Sequence, residues 1–161
     1  MFYFIPKSVR FFTRLDLPRT IHNMKYEYRG KAIVYAFRCT ITNMVYVGST
    51  LAPGRRIDNH LVTGLYSNFN LQGAIQLHGI KNFTAYILSS TLKGGYLVLY
   101  CIVLYIQGIP THLWGGERVV VFPAGLTHKE QRIYLRGVEQ SHIDLFPSIQ
   151  LYNEINSSNV S

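Results

Sequence analysis

Acid is scarce in this 161-residue chain: 8 Asp and Glu stand against 16 Lys and Arg, leaving a formal net charge of +8 and a pI near 9.6. A small basic protein attracts polyanions, and nucleic acid is the commonest of them, although charge alone favours that partner only slightly. Cysteine is scarcer still, with Cys39 and Cys101 only. Two thiols are too few for a disulfide framework. No Cys-x-x-Cys occurs and no Cys/His cluster has zinc spacing. Both therefore read as buried apolar thiols, consistent with a reducing compartment. Long apolar runs are missing too. The most apolar stretch, residues 96–106, is followed by Gln107, Gly108 and Pro110. It falls short of the roughly 20 residues that cross a bilayer. Rich in Val, Ile and Tyr, it reads as a buried strand or hairpin arm, and no membrane partner is expected.

What is present fits one domain plus appendages. Residues 1–29 set Lys7, Arg10, Arg14, Arg19, Lys25 and Arg29 against Asp16 and Glu27, with Phe2-Tyr3-Phe4 and Phe11-Phe12 between them. This basic N-terminal extension is open to several readings: a transit-peptide-like leader, an arm on nucleic acid, read-through from an upstream frame, or a poorly ordered segment without a role. Residues 31–37 are almost wholly apolar, as in a buried strand. Residues 44–48 form its hairpin partner across Thr42-Asn43-Met44, with Gly48-Ser49-Thr50 breaking the ladder. Pro53 opens a helix that Gly64 ends. Residues 70–77 form a second helix stopped by Gly79, and residues 84–88 a third strand. Residues 89–125 are too long and too apolar for a surface loop; strands over 97–106 and 118–122 are the expected alternative to an invading insertion. Thr127 and Glu130 make a capping box that starts a helix running to about Leu145.

One constellation carries chemistry. Tyr35 and Tyr46 lie on the two strands, and Arg56 and His60 stand at i and i+4 on the helix that follows, one above the other. Glu139 lies far downstream in the last helix. Phenols, a guanidinium, an imidazole and a lone carboxylate are a kit for a phosphodiester: proton carriers, a charge clamp and a metal ligand. On strand pattern alone both phenols read as core, and this chain has 12 Tyr.

These residues resemble the GIY-YIG endonucleases. Tyr46-Val47-Gly48 matches the second signature with Val for Ile. Ile33-Val34-Tyr35 matches the first, with Ile33 where Gly gives the family its name. Arg56 and His60, then His78-Gly79-Ile80-Lys81-Asn82-Phe83, Val138-Glu139-Gln140 and Tyr152-Asn153 follow in family order, over about residues 31–88 and 126–154. The text from Val47 to Pro53 is similar to homing endonucleases encoded in group I introns. The resemblance implies an α/β fold: a small, mostly antiparallel three-stranded sheet flanked by helices. The nuclease domain would span 30–154, with 89–125 as an atypical insertion and 155–161 as a polar tail.

The resemblance also implies roles. Tyr35 would be the general base, its pKa of ~10 lowered by Arg56 and a metal. Tyr46 would support it, Arg56 would hold a phosphate oxygen and His60 would assist proton transfer. Glu139 would bind one Mg²⁺ or Mn²⁺ ion. Gly48 would serve geometry and Asn153 would brace the site. The implied partner is double-stranded DNA, with no small-molecule cofactor and a mitochondrial setting; the sequence leaves the oligomeric state open, with a monomer as the working expectation. The alternative is a catalytically impaired remnant that binds nucleic acid without cutting it.

Overall fold

The computed structural model describes residues 10–91, 118–120, 122 and 125–153. The strand expected over 97–106, Cys101 and the polar tail lie outside these residues.

The chain runs β1 (Arg10–Phe12), α1 (Pro18–Glu27), β2 (Ile33–Cys39), β3 (Val45–Thr50), α2 (Pro53–Asp58), a π-helical turn (Asn59–Thr63) and α3 (Phe69–His78). A 3₁₀ turn (Ile80–Asn82), β4 (Phe83–Thr91), β5 (Arg118–Val120), α4 (His128–Ile143) and a second 3₁₀ turn (Ser148–Gln150) complete it. The sheet order is β1-β4-β2-β3, all antiparallel, and β5 adds parallel to the end of β4 at Ser89–Thr91. The fold is thus α/β with four antiparallel strands, one more than expected, plus the short β5.

Alternation along β2 decides the layers. Ile33, Tyr35, Phe37 and Cys39 face one core with Ile21 and Met24 of α1, Ile57 of α2, and Leu71 and Ala74 of α3. Ala32, Val34 and Ala36 face a second core with Val45, Val47, Tyr86 and Leu135 of α4. The strand is buried on both faces, which is why it carries an unbroken apolar run instead of alternating with polar residues.

Two expectations are corrected here. Residues 10–28 are part of the fold and not an appendage: Phe12, Leu15, Ile21, Met24 and Tyr28 are all buried in the first core. Nor does Gly48-Ser49-Thr50 break the ladder; β3 continues to Thr50, which pairs with Ile33. The turn between β2 and β3 is held by Asn43 at φ 61°, whose side-chain oxygen accepts from Arg38 Nη1 at 2.8 Å. The helix begun at Pro53 ends at Gly64, with φ +69°, after its last turn loosens to π. The α4 start carries the expected cap: Thr127 Oγ1 accepts from the Glu130 amide at 3.3 Å and donates to its carboxylate at 2.9 Å.

Candidate active site

The first wall of the site is the core face of β2 and β3. Tyr35 pairs with Gly48, and Tyr46 pairs with Phe37, so the two phenols are diagonal neighbours and not direct partners. Their ring centroids are 6.3 Å apart. Tyr35 lies over Gly48: a Cβ built there would stand 2.5 Å from the phenol oxygen and 2.6 Å from the adjoining ring carbon. Gly48 is a glycine because of what crosses it. Ile33 is buried beneath the same layer and does not line the cleft.

The second element is the helix after the hairpin. Arg56 comes from α2, while His60 falls on the π-helical turn that continues it. Such turns often occur at functional sites. His60 is buried at 2% exposure, and its Nε2 lies 2.7 Å from the Tyr35 oxygen. Its Nδ1 lies 2.6 Å from Ser67 Oγ, which accepts from the Gln72 amide at 2.7 Å. The same amide reaches the His60 carbonyl at 2.9 Å. Ser67 Oγ has a second lone pair beside the Gln72 amide and can accept from Nδ1–H, the tautomer that leaves Nε2 to accept from the protonated Tyr35 phenol.

The third element is α4, on the opposite face of the sheet. Glu139 reaches back to β3, where its Oε2 accepts from Ser49 Oγ at 3.0 Å. Arg132, Arg136 and Glu139 stand at i, i+4 and i+7, hence on one side of the helix. The site therefore wraps around β3, the outer strand of the sheet: phenols on one face, carboxylate on the other. Asn153 braces that strand, its side-chain oxygen accepting from the Val47 amide at 2.9 Å and its amide donating to the Val47 carbonyl at 2.8 Å.

Between these elements lies a cleft of about 520 Å³ lined by Ser49, Thr50, Leu51, Arg55, Arg56, Asn59, Tyr66, Arg132, Leu135 and Arg136. Four of these side chains are guanidiniums, a set whose chemistry suits anions. Arg132 and Arg136 escaped the sequence reading, although the helical spacing back from Glu139 pointed to them. Ser67 and Gln72 carry no sequence signal of their own.

Burial governs the titrations. It raises the Tyr35 phenol well above its ordinary value, helped by Tyr46 and opposed by Arg56. The lowering expected for a general base is therefore not a property of the free protein. Burial likewise raises Tyr46 and Glu139, the latter against the opposing pull of the Ser49 hydrogen bond, Arg136 and Arg56. His60 is pushed down to about 3, by burial first and Arg56 second, and stays neutral. For Arg56, burial disfavours the cation, but the two phenols outweigh it and the pKa rises. At rest the site holds its protons on the phenols and its positive charge on the arginines.

A divalent ion would find one carboxylate here. Among the described residues no group of three or more His, Cys, Asp or Glu could hold a metal by itself. Glu139 fits Mg²⁺, which keeps several waters and takes one or two carboxylates together with substrate phosphate oxygens. No helix among the described residues is long and apolar enough to cross a membrane. No protein-family model, no curated protein and no solved structure matches the chain.

Proposed function

We propose that this chain is a metal-dependent endonuclease that hydrolyses DNA phosphodiester bonds. The observation that carries the reading is the cleft: four arginines line it together with Ser49, the hydrogen-bond partner of the Glu139 carboxylate, and of the five expected catalytic residues Arg56 alone lines it, with the phenols and the neutral imidazole in the layer beyond. The likeness to the GIY-YIG signatures supplies the reaction class, and from it also come the homing role, the mitochondrial setting and the duplex DNA partner.

In this reading Arg56 holds a non-bridging oxygen of the scissile phosphate, with Arg55, Arg132 and Arg136 taking neighbouring phosphates. Arg56 is positioned by its 2.6 Å bond to the Tyr66 carbonyl and by both phenols. A Mg²⁺ ion on Glu139, when bound, would offset the charge that builds on the phosphate and the leaving oxygen. Tyr35 receives the proton of the attacking water only as a phenolate. Arg56 is the group placed to stabilise that anion, while Ser67 and Gln72 hold the imidazole against the phenol. Tyr46 supports Tyr35 across the 6.3 Å gap.

The raised phenol supports a second reading, a chain that binds nucleic acid without cutting it. A plasmid-nicking assay with Mg²⁺ separates the two, comparing the native protein with Glu139→Ala and Arg56→Ala. The nuclease reading expects nicking by the native protein only. Salt-sensitive DNA binding without nicking in any of the three would leave the binding reading.

A further inference from the structure

Tyr66 stands out on the rim of the cleft. It is 86% exposed, the most exposed large hydrophobic residue among those described, and its side chain packs into neither core. Its backbone is left-handed at φ 57°, a conformation that costs a bulky non-glycine residue free energy. Nothing in the packing returns that cost, and an outlier of this kind points toward function. The conformation is fixed at one end by Gly64, itself left-handed, and at the other by the hydrogen bond from Arg56 to the Tyr66 carbonyl. The residue thus sits in the wall of an arginine-lined cleft, tied to the arginine nearest the phenols. Phe69 begins α3 three positions on and is 85% exposed.

An aromatic ring presented to solvent beside a cationic cleft matches the chemistry of a nucleotide. The phosphate pairs with guanidinium and the base stacks on the ring, without regard to base identity because every base has a π-face. We propose that Tyr66 is a stacking platform for a nucleobase unstacked from the strand whose phosphate lies on Arg55 and Arg56, with Phe69 extending the platform outward. The ligand class is a nucleic-acid strand that is locally opened, at a mismatch, nick or single-stranded stretch. An intact duplex would occupy the arginines but leave the ring idle. This inference rests on the phosphate-binding reading of the cleft.

The test uses the Glu139→Ala protein, which cannot cut, and two short DNA probes carrying 2-aminopurine, one matched duplex and one with the fluorophore at a mismatch. Stacking quenches the fluorophore. The proposal expects quenching on the mismatched probe and roughly ten- to hundredfold tighter binding to it than in a Tyr66→Ala partner, with the matched duplex little affected. Tyr66→Trp should keep both the quenching and the affinity. Equal affinity and equal fluorescence with and without the Tyr66 ring would overturn the platform while leaving the cleft reading intact. Failure of the Tyr66-intact protein to bind either probe, even at low salt, would overturn both. Because the ring packs into neither core, Tyr66→Ala should melt as its parent does, so a binding loss reports contact and not unfolding.

Discussion

The two walls of the site are built on different terms. The phenol–imidazole wall belongs to the core: Tyr35 is 4% exposed, His60 2% and Tyr46 8%. The wall from α4 faces water, with Arg132 and Arg136 exposed and Glu139 half-buried. Burial raises the phenols and depresses the imidazole on one side, while the other side presents two guanidiniums to the cleft. Groups on the first wall cannot be altered without disturbing the fold. Groups on the second can be removed with the fold intact, so chemistry and stability should separate according to which wall is cut.

The widest separation is expected at Glu139. Glu139→Gln should reduce nicking roughly 10³-fold, the scale for removing a group that meets transition-state charge, without loss of stability. The folded carboxyl titrates above its ordinary 4.5, so the folded protein holds this proton more tightly than the unfolded chain. Its contribution to stability is present below pH 4.5 and is lost as pH rises through the folded value. The Gln variant lacks that loss. Its melting temperature relative to the native protein should therefore climb as pH rises from 4.5, and a flat difference would argue against a desolvated carboxylate.

His60 should show the opposite slope. Its folded pKa of about 3 lies below the ordinary 6.5, so the unfolded chain takes up the proton first. The stability it contributes is complete above pH 6.5 and is lost as pH falls toward 3, at up to roughly 1.4 kcal/mol per pH unit. Replacing it by Gln should flatten that acid limb in calorimetry; an unchanged limb would mean the imidazole is already charged in the fold.

Gly48→Ala tests how tightly the first wall is closed. Its Cβ meets the Tyr35 oxygen at 2.5 Å and ring carbon at 2.6 Å, so overpacking of about 1–3 kcal/mol is expected. Tyr35→Phe in the same chain should not relieve it, because the ring carbon stays; Tyr35→Val should. Equal stability of all three in urea titrations would show that the ring can move aside. The smallest effect, about 1 kcal/mol, should come from Asn153→Ala, which removes two hydrogen bonds to Val47 and sits on neither wall.

Much of this site could be read in the sequence because it is local. The hairpin, the Pro53 helix and the Thr127 cap each carry their own turn or capping residues, and the i, i+4 step placed Arg56 and His60 together. Burial on both faces of β2 showed as an unbroken apolar run. What escaped was non-local. Three residues, Arg10–Phe12, give no strand signal until β4 offers a partner. The α1 signal was there, with Pro18 at its start and Ile21, Met24 and Tyr28 at helical spacing, but the surrounding basic and aromatic residues pointed to an extension outside the domain. The register of Tyr35 on Gly48 could not be fixed without knowing the length of the turn. Ser67 and Gln72 look like any polar loop and helix residues until the fold sets them against His60.

Asn153 has one more consequence. Its side-chain amide copies a peptide group, presenting a carbonyl and an N–H to Val47 as a neighbouring strand would, while the Tyr152 amide donates to the Val45 carbonyl at 2.7 Å. The last described residues thus serve as a surrogate strand on the border of the sheet. Without them β3 would offer its bare backbone to any other extended chain, including another copy of itself. The segment that covers this border also shields its backbone from such pairing, and losing it should be felt first as self-association in concentrated solution and only afterwards as a fall in melting temperature.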